Sequence, residues 1–259
     1  MTGPYRLDRA LIRVSGPDAV SFLNNLLTQD VSKLEAAGAQ YAALLSPQGK
    51  VIADVILSTG EGGVIFLDLD VARGGELMRR LLLFRLRANV AIEDCSGDVA
   101  LVYDASAFDG AHADPRFPDG SLGWRKIVAK DAAGGLPLGN EQFDARRLAL
   151  GIPDLARDAA PEEVFALEAL LEELHGVDFQ KGCFVGQENV SRMKRRATAR
   201  RKFCPIAFEG EALAPGAPVR AGEVEIGSVR TGAAGRAIAL LRLDRAREAM
   251  EQGVSLAAS

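Results

Sequence analysis

The sequence predicts an α+β protein that ends in a small all-β module. Up to residue 201, segments with the apolar spacing of helices alternate with short runs typical of strands. Beyond it, short β-like runs separated by Gly and Pro follow one another at residues 203–208, 217–220, 224–229 and 237–243. Since the chain has 259 residues, more than one compact unit is expected. We predict an α+β core of two interleaved lobes at residues 1–201 and a C-terminal β-barrel at residues 202–259.

The first predicted helix follows a short strand at residues 11–15 and a Gly16-Pro17 turn. Ser15 or Asp18 can cap its N-terminus, because both residue types accept hydrogen bonds from a first helical turn. Its apolar face is expected to hold Val20, Phe22, Leu23, Leu26 and Leu27.

A β-hairpin is predicted next. The apolar runs at residues 41–45 and 51–57 flank Ser46-Pro47-Gln48-Gly49, a turn-type cluster. Another strand is expected at residues 64–69. The spacing then predicts a helix over residues 74–87, with Leu77, Leu81, Phe84 and Leu86 facing inward.

The middle of the chain completes the core. Two strands of a further sheet are predicted at residues 90–93 and 99–103, a loop at 109–123 and a strand at 124–129. Helices are predicted over residues 141–150 and 164–174. The second of these helices is predicted from apolar residues at helical spacing.

The charge balance excludes some functional classes. The net charge is −4 and the pI about 5.4, which opposes a nucleic-acid or membrane-surface role for the molecule as a whole. Residues 1–13 lack the apolar region of a signal peptide. No stretch approaches the roughly 18 apolar residues of a membrane span. We therefore expect a cytoplasmic protein without a membrane partner.

Cysteine and histidine are scarce. Cys95, Cys183 and Cys204 stand far apart, and the histidines are His112 and His175. This set predicts neither a disulfide framework nor a zinc site, so no metal ligands are predicted. Chemistry must come from carboxylates, arginines, one thiol or a bound cofactor.

The most informative segment is residues 179–188, Phe-Gln-Lys-Gly-Cys-Phe-Val-Gly-Gln-Glu. Glycines on both sides of Cys183 allow positive φ or close approach of a ligand. The ammonium of Lys181 can favour the thiolate, and Gln187 adds an acceptor. The alternative is a glycine-rich turn whose cysteine is a small buried apolar residue.

A basic run follows this segment. Its cations are Arg192, Lys194, Arg195, Arg196, Arg200, Arg201 and Lys202. Three interpretations remain open, namely a solvated face, a site for an anionic small molecule and a nucleic-acid site. The run has no interleaved aromatic residue before Phe203, which disfavours single-stranded nucleic acid.

Other charged residues accompany turns or a predicted helix. Asp114-Pro115-Arg116 precedes Gly123-Trp124-Arg125, and Arg146-Arg147 leads to Gly151-Ile152-Pro153. Arginines recognise carboxylates through paired hydrogen bonds, although an exposed arginine fits these positions equally well. Glu168 lies near an apolar stripe, where its carboxylate can accept two N–H bonds from a pterin edge, or can be a surface glutamate.

The segment Lys181-Gly182-Cys183-Phe184-Val185-Gly186-Gln187-Glu188 resembles the K-G-C-[FY]-x-G-Q-E signature of the YgfZ family. That family includes a mitochondrial iron–sulfur assembly factor of the same type and is related to the T-protein of glycine cleavage. Further similarity covers nearly the whole chain. It includes Ser15 to Asp18 with Phe22-Leu23, residues 41–57, Asp114 to Arg116, Gly123 to Arg125 and Arg147 to Asp154.

The resemblance implies a three-lobed, T-protein-like ring with tetrahydrofolate, or a one-carbon derivative, in a central channel. It also implies support for iron–sulfur enzymes, with client enzymes or assembly proteins as partners. Cys183 and its motif neighbours Lys181 and Gln187 carry over as the candidate catalytic residues. Asp54, Arg125, Glu168, Arg147 and Arg195 are the expected folate-binding residues. An arginine-rich rim would favour the anionic glutamate tail of a folate.

Departures from the family pattern affect the choice of function. The family often has His-Arg-Gly-Thr where this chain has Arg195-Arg196-Ala197-Thr198, and Leu167 precedes Glu168 in place of a glutamine. T-proteins usually carry an Asp-Asp pair where this chain has Ala53-Asp54. An assembly or repair factor that binds folate is therefore preferred. A folate-dependent aminomethyltransferase or demethylase is the alternative, and whether the protein is an enzyme stays open.

Overall fold

The computed structural model describes residues 3–196, 199–251 and 256–258. Within them, the strands form three sheets in which every adjacent pair runs antiparallel. The strands are β1 (Tyr5–Leu7), β2 (Ala10–Ser15), β3 (Ala39–Leu45), β4 (Val51–Thr59), β5 (Ile65–Leu69), β6 (Ala91–Asp94), β7 (Val99–Asp104), β8 (His112–Ala113), β9 (Trp124–Ala129), β10 (Arg201–Ala207), β11 (Pro218–Ala221), β12 (Val224–Ala233), β13 (Arg236–Arg242) and β14 (Leu256–Ala258). The helices are α1 (Ala19–Leu26), α2 (Leu34–Ala37), α3 (Val71–Arg85), α4 (Asn140–Ala149), α5 (Leu155–Asp158), α6 (Gln187–Arg196) and α7 (Leu243–Glu251).

The first sheet has the strand order β3-β4-β5-β2-β6. Its core contains Phe22 and Leu23 of α1 together with Leu77 and Leu81 of α3. These pairs lie on one face of each helix, as the apolar spacing predicts. The predicted hairpin is confirmed, since β3 pairs with β4 and Gly49 in the turn takes a φ of 81°, which glycine adopts without steric cost.

The second sheet has the order β1-β7-β9-β8. The N-terminal strand β1 therefore pairs with a strand that follows it by more than ninety positions, Tyr5 opposite Tyr103. The ring of Tyr103 meets Phe143 of α4 edge-on, with centroids 5.2 Å apart. This contact fixes α4 against the sheet.

The C-terminal sheet has the order β10-β13-β12-β11-β14. Alternate residues of a strand face opposite sides, and β13 uses both sides. Leu240 joins the core around α4, whereas Leu241 joins a separate core that includes Ala246 and Ala249 of α7. The predicted module is thus not purely β, because α7 packs on it. Its predicted boundary at residue 201/202 stays a prediction.

The end of α3 contradicts the prediction. Phe84 and Leu86 were expected to face inward, yet they are 40% and 87% exposed. The helix ends at Arg85, and Leu86 takes a φ of 41°. This turn in the backbone carries the last apolar residues away from the core. Val20 of α1, also predicted inward, is exposed as well.

The predicted helix over residues 164–174 does not form. The segment is a series of turns, and Leu170 takes a φ of 63°. A left-handed residue interrupts the i to i−4 hydrogen bonds of a helix. The apolar spacing still places Val164, Leu171 and Leu174 in the core, because consecutive turns bury the same side.

Three smaller differences remain. Strand β6 joins the first sheet beside β2 and not a further sheet with β7. The predicted loop at 109–123 contains the short strand β8. The first cations of the basic run lie on α6, while Ala197 and Thr198 fall outside the described residues. No described helix has the length and apolar character needed to cross a bilayer.

Candidate functional site

Cys183 lies in a short loop before α6, residues 181–186, which we call the cysteine loop. Its thiol is exposed, whereas its neighbours Lys181 and Phe184 are buried. The half-buried Gln187 begins α6, and its backbone N–H donates to the Phe184 carbonyl at 3.2 Å. The loop therefore presents one thiol to solvent from a framework of buried residues.

Lys181 anchors the cysteine loop. Its Nζ donates to the backbone carbonyls of Asn24 at 2.6 Å, Leu27 at 2.8 Å and Gln29 at 2.7 Å. An ammonium group has three N–H donors, so none is left for the thiol of Cys183. Burial lowers the pKa of Lys181 to about 8, which keeps the ammonium the main form at neutral pH. The geometry favours an anchoring role over the predicted role in activating the thiol.

The far end of the loop packs on the β3-β4 turn. Gly186 takes a φ of 82°. A Cβ at this position would lie 2.6 Å from the carbonyl oxygen of Ser46 and 3.0 Å from Cα of Gly49. Both close contacts are with backbone, so only glycine fits here. The two turns thereby fix the direction in which the cysteine loop leaves the core.

A second cluster of polar residues lies between the first two sheets. Arg9 pairs with Asp68 at 2.6 Å, and Asp68 with Arg125 at 2.9 Å. Arg125 in turn lies 3.2 Å from Asp114, which pairs with Arg116 at 2.8 Å. We call these five residues the buried charge chain. Alternating signs offset the cost of removing charges from water.

Tyr41 and Asp54 border this chain. The Tyr41 hydroxyl donates to Oδ2 of Asp54 at 3.0 Å, and Arg116 lies over the Tyr41 ring at 5.5 Å. Burial, followed by the charge of Asp154, raises the pKa of Asp54. Burial also raises the pKa of Tyr41, and the nearby Asp54 charge acts in the same direction. Asp54 therefore belongs to a tyrosine–carboxylate pair at the edge of the charge chain.

Asp114 is held ionised by the two arginines that flank it in the buried charge chain. Burial alone would raise its pKa, but the guanidinium charges of Arg116 and Arg125 outweigh it and lower the pKa to about 2. Burial lowers the pKa of Arg125, which nevertheless stays charged at any physiological pH. Asp114 and its two arginines are thus fixed charges at neutral pH.

A cavity of about 650 Å³ opens beside the charge chain. Residues of β4 and β5 line one side, and residues of β7 and β9 line the other. We call it the Arg125 cavity, because Arg125 and Asp68 both line it. Within the described residues, Nε of Arg125 is buried without a hydrogen-bond partner, whereas Nη1 lies 3.2 Å from Asp114 and Oδ2 of Asp68 lies 2.9 Å from Nη2 of Arg125. A buried donor without a partner is costly unless a ligand or water satisfies it.

A smaller cavity of about 250 Å³ includes Arg9, Asp154 and Arg157 in its lining. Asp68, which pairs with Arg9, lines the larger cavity. The Arg9–Asp68 ion pair therefore lies between the two spaces.

Two predicted folate residues, Arg147 and Glu168, lie where the core meets the C-terminal sheet, and neither they nor the predicted Asp54 line the Arg125 cavity. Arg147 is 1% exposed, and it donates to the Ile152 carbonyl at 3.0 Å and to Oγ1 of Thr231 at 2.8 Å. Oε2 of Glu168 accepts from the Phe165 amide at 3.1 Å. Both side chains hold protein groups together.

Arg195 is exposed on α6, and its contact is a 3.4 Å hydrogen bond to the Ser191 carbonyl of its own helix. Three cations of the basic run pair with carboxylates, namely Lys194 with Glu172, Arg201 with Glu168 and Lys202 with Glu173. The structure does not bring Arg195 to the Arg125 cavity.

Sequence reasoning missed Arg9 and Asp68. Asp68 lies in β5 between Leu67 and Leu69, and it is 2% exposed. A lone carboxylate inside an apolar strand signals a buried ion pair, so this signal was available. Arg9, which lies between β1 and β2, carried none.

Among the residues that the structure describes, no group of three or more His, Cys, Asp or Glu side chains is placed to hold a metal ion. An iron–sulfur cluster usually takes four protein ligands. Cys183 can thus supply one ligand of such a cluster, with the others coming from elsewhere.

Two known domain families match parts of the chain. Residues 9–102 match the GCVT N-terminal domain, and residues 200–258 match the CAF17 C-terminal beta-barrel domain. A solved structure of glycine cleavage system aminomethyltransferase T from Bartonella henselae superposes with a TM-score of 0.74. It shares 17% identity, and the match covers 94% of this chain and 79% of that chain. The predicted T-protein-like fold with a C-terminal β-barrel is confirmed.

Curated relatives resemble the chain more closely in sequence. "Iron-sulfur cluster assembly factor IBA57, mitochondrial" from Homo sapiens is 31% identical over 274 residues, covering 92% of this chain and 76% of the relative. The mouse protein of the same name is 30% identical, with 92% and 77% covered. The Mycosarcoma maydis homolog is 29% identical over 77% of this chain, which spans about half of that relative, 55% of its length.

The prediction of a cytoplasmic protein is wrong, because these relatives are named as mitochondrial. The prediction rested on residues 1–13, which lack an apolar signal region. An apolar region is the mark of a secretory signal, whereas mitochondrial targeting segments are amphipathic and basic, so the observation had no bearing on mitochondrial targeting.

Proposed function

Because the chain belongs to the family of IBA57-type iron–sulfur cluster assembly factors, we propose that it supports cluster assembly by presenting Cys183 as a single thiolate ligand. A reduced folate in the Arg125 cavity is the second part of the proposal. Within this family, we also propose that the chain is related most closely to the YgfZ type.

One observation carries the first part. Cys183 is exposed while both ends of its loop are fixed, by the Lys181 ammonium and by the close approach of Gly186 to Ser46. An exposed thiol on a fixed loop can reach a cluster held by another molecule. A single cysteine leaves three ligand positions for a partner protein or a small thiol. The contact with a cluster is therefore shared, and the partners are cluster enzymes or assembly proteins.

The Arg125 cavity supports the folate part. Its volume of about 650 Å³ lies within the usual range for small-ligand sites. Arg125 and Asp68 line the cavity side by side as a donor and an acceptor, and Nε of Arg125 is a buried donor without a hydrogen-bond partner among the described residues. The edge of a pterin ring carries both acceptors and N–H donors, so these residues fit it. When bound, a tetrahydrofolate would supply a carrier for one-carbon units.

An aminomethyltransferase activity has weaker support. The likeness to aminomethyltransferase T is at 17% identity and concerns the fold alone. In this chain, Asp54 accepts the Tyr41 hydroxyl, and Ala53 stands where T-proteins usually carry a second carboxylate. The assembly role therefore remains the proposal.

Complementation tests the assembly role. Cells depleted of the human relative would receive this chain with a mitochondrial targeting segment, and the activities of iron–sulfur enzymes would be measured. The wild type and Cys204→Ala are expected to restore activity, and Cys183→Ala is not. Restoration by Cys183→Ala at matched protein level would reject the role of this thiol.

Calorimetric titration with tetrahydrofolate tests the folate part. We expect micromolar binding by the wild type, and binding weakened about tenfold or more, or about 1.4 kcal/mol, in Arg125→Lys, which keeps the charge but loses the guanidinium donors. Arg195→Ala should bind as the wild type does. No binding by the wild type would reject the folate part, and a loss in Arg195→Ala alone would move the site to the basic run.

A further inference from the structure

The C-terminal end of α3 exposes a continuous apolar and basic segment. Residues 82–87, Leu-Leu-Phe-Arg-Leu-Arg, are all exposed; we call them the α3 tip. Leu83 is 62% and Leu86 87% exposed, so both side chains project from the surface. Single exposed apolar residues are common, but several in a row mark an interaction site.

The backbone at Leu86 adds a second observation. Helices commonly end in a left-handed residue, and glycine is the usual choice because it has no Cβ. Here a leucine takes a φ of 41° and a ψ of −105°. Strain and apolar exposure at one residue both cost free energy, and neither is offset by packing within the described residues. We therefore expect a contact with another molecule to offset this free-energy cost.

The charges of the tip point to an anionic occupant. Arg79 and Arg80, one turn earlier, pair with Glu76 at 2.6 Å and 2.7 Å. By contrast, Arg85 and Arg87 form no ion pair or side-chain hydrogen bond with any residue the structure describes. Both cations are interleaved with the apolar side chains and are free to bind phosphate or carboxylate groups.

The size of the α3 tip and the sign of its charge distinguish between three possible binding partners. A second copy in a two-fold contact would bring the arginines of both copies together, and like charges repel. A stable interface with a folded protein needs about 20–30 residues per side, far more than the tip provides. A short projection of leucines and phenylalanine flanked by arginines suits the headgroup boundary of an anionic bilayer.

We propose that the α3 tip docks the protein reversibly on an anionic phospholipid surface. Leu83 and Leu86 enter the boundary between headgroups and acyl chains, and Arg85 and Arg87 pair with lipid phosphates. The expectation of no membrane partner came from the charge of the whole molecule. Charges are screened within about 8–10 Å at physiological salt, so the local cations of the tip govern its own contact.

Vesicle co-sedimentation of the full chain tests the proposal. The probes are phosphatidylcholine vesicles with and without about 30 mol% phosphatidylserine. The wild type should bind the anionic vesicles, bind the neutral ones several-fold less, and dissociate as salt is raised. Each cation near an anionic surface contributes roughly fivefold in affinity. Arg85→Gln with Arg87→Gln should therefore weaken binding by roughly 25-fold.

The apolar contact is tested by Leu83→Ser with Leu86→Ser, which should abolish measurable binding. Both residues are exposed, so the thermal midpoint should not fall. Val224→Ser and Arg236→Gln are matched controls, because they alter one exposed apolar residue and one exposed arginine of the C-terminal sheet. Equal binding by wild type and tip variants would overturn the proposal. So would a dimer in sedimentation velocity that Leu83→Ser with Leu86→Ser dissolves, since the tip would then bind a second copy.

Discussion

The ammonium of Lys181 donates a hydrogen bond to the backbone carbonyl of Leu27, 2.8 Å away, at the end of α1. Two further carbonyls, of Asn24 and Gln29, accept its remaining protons. The motif lysine thus connects the cysteine loop to the first sheet's helix layer. This contact places an exposed thiol on a rigid base, and the first prediction follows from it.

Replacing Lys181 by methionine should lower the free energy of unfolding by about 2–4 kcal/mol, because buried carbonyls lose their donor. Urea unfolding measures this change. Lys33→Met is the control, since the exposed Lys33 ammonium pairs with Asp30 and Asp178 and such surface pairs contribute up to about 1 kcal/mol. Equal effects of the two substitutions would contradict the anchoring role.

Two glycines of the cysteine loop should differ sharply. In Gly186→Ala the new Cβ meets the backbone of Ser46 and Gly49, and φ is positive, so a loss of about 2–4 kcal/mol is expected. A Cβ at Gly182 has no atom within 4 Å, so Gly182→Ala should change stability by less than about 0.5 kcal/mol. Thermal unfolding of both variants checks the difference. A stable Gly186→Ala would show that the loop is free to move.

Arg147 is expected to stabilise the joint between core and C-terminal sheet. Arg147→Met leaves the buried Asp158 without its cation, 3.7 Å away, and should cost about 3–5 kcal/mol. Thr231→Val removes one hydrogen bond of the same group and should cost about 1 kcal/mol. Urea unfolding curves give both values. If Arg147→Met left the unfolding free energy unchanged but abolished tetrahydrofolate binding, Arg147 would instead belong to the predicted folate site.

Acid stability should depend on Asp114. Its pKa is about 2 in the folded chain against about 3.9 in unfolded peptides. A lowered folded pKa adds stability above the unfolded value, and this stability is lost as pH falls through the folded value. Asp114 should thus contribute about 2–3 kcal/mol, lost mainly between about pH 4 and pH 2. In Asp114→Asn the fall in unfolding free energy over that range should be smaller by this amount, whereas the exposed Asp109→Asn should match the wild type. An unchanged pH slope in Asp114→Asn would contradict the assigned ion pairs.

The sequence supports the fold class because its signals are local. The hairpin around Ser46 to Gly49 and the helix that buries Leu77 and Leu81 follow from turn residues and apolar spacing. The same reasoning wrongly predicts a helix over residues 164–174, where Leu170 takes a left-handed conformation that interrupts a helix. Nothing in the spacing distinguishes consecutive turns from a helix, because both bury one side.

The residues of the candidate site also differ in whether the sequence alone could bring them together. Cys183 and Lys181 lie two positions apart in a short motif, so the sequence alone places them close together. The buried charge chain joins Arg9, Asp68 and Arg125 across strands far apart in the chain. Such a cluster depends on which strands pair and which faces meet, and local patterns contain no information on either.

Anaerobic reconstitution with ferric iron, sulfide and glutathione tests the central claim most directly. The measurement is visible absorbance and bound iron per chain for wild type, Cys183→Ala and Cys204→Ala. The half-buried Cys204 provides the matched thiol control. We predict a glutathione-dependent cluster in the wild type and in Cys204→Ala, and none in Cys183→Ala. A cluster of equal yield in Cys183→Ala would contradict the assignment of Cys183 as the ligand.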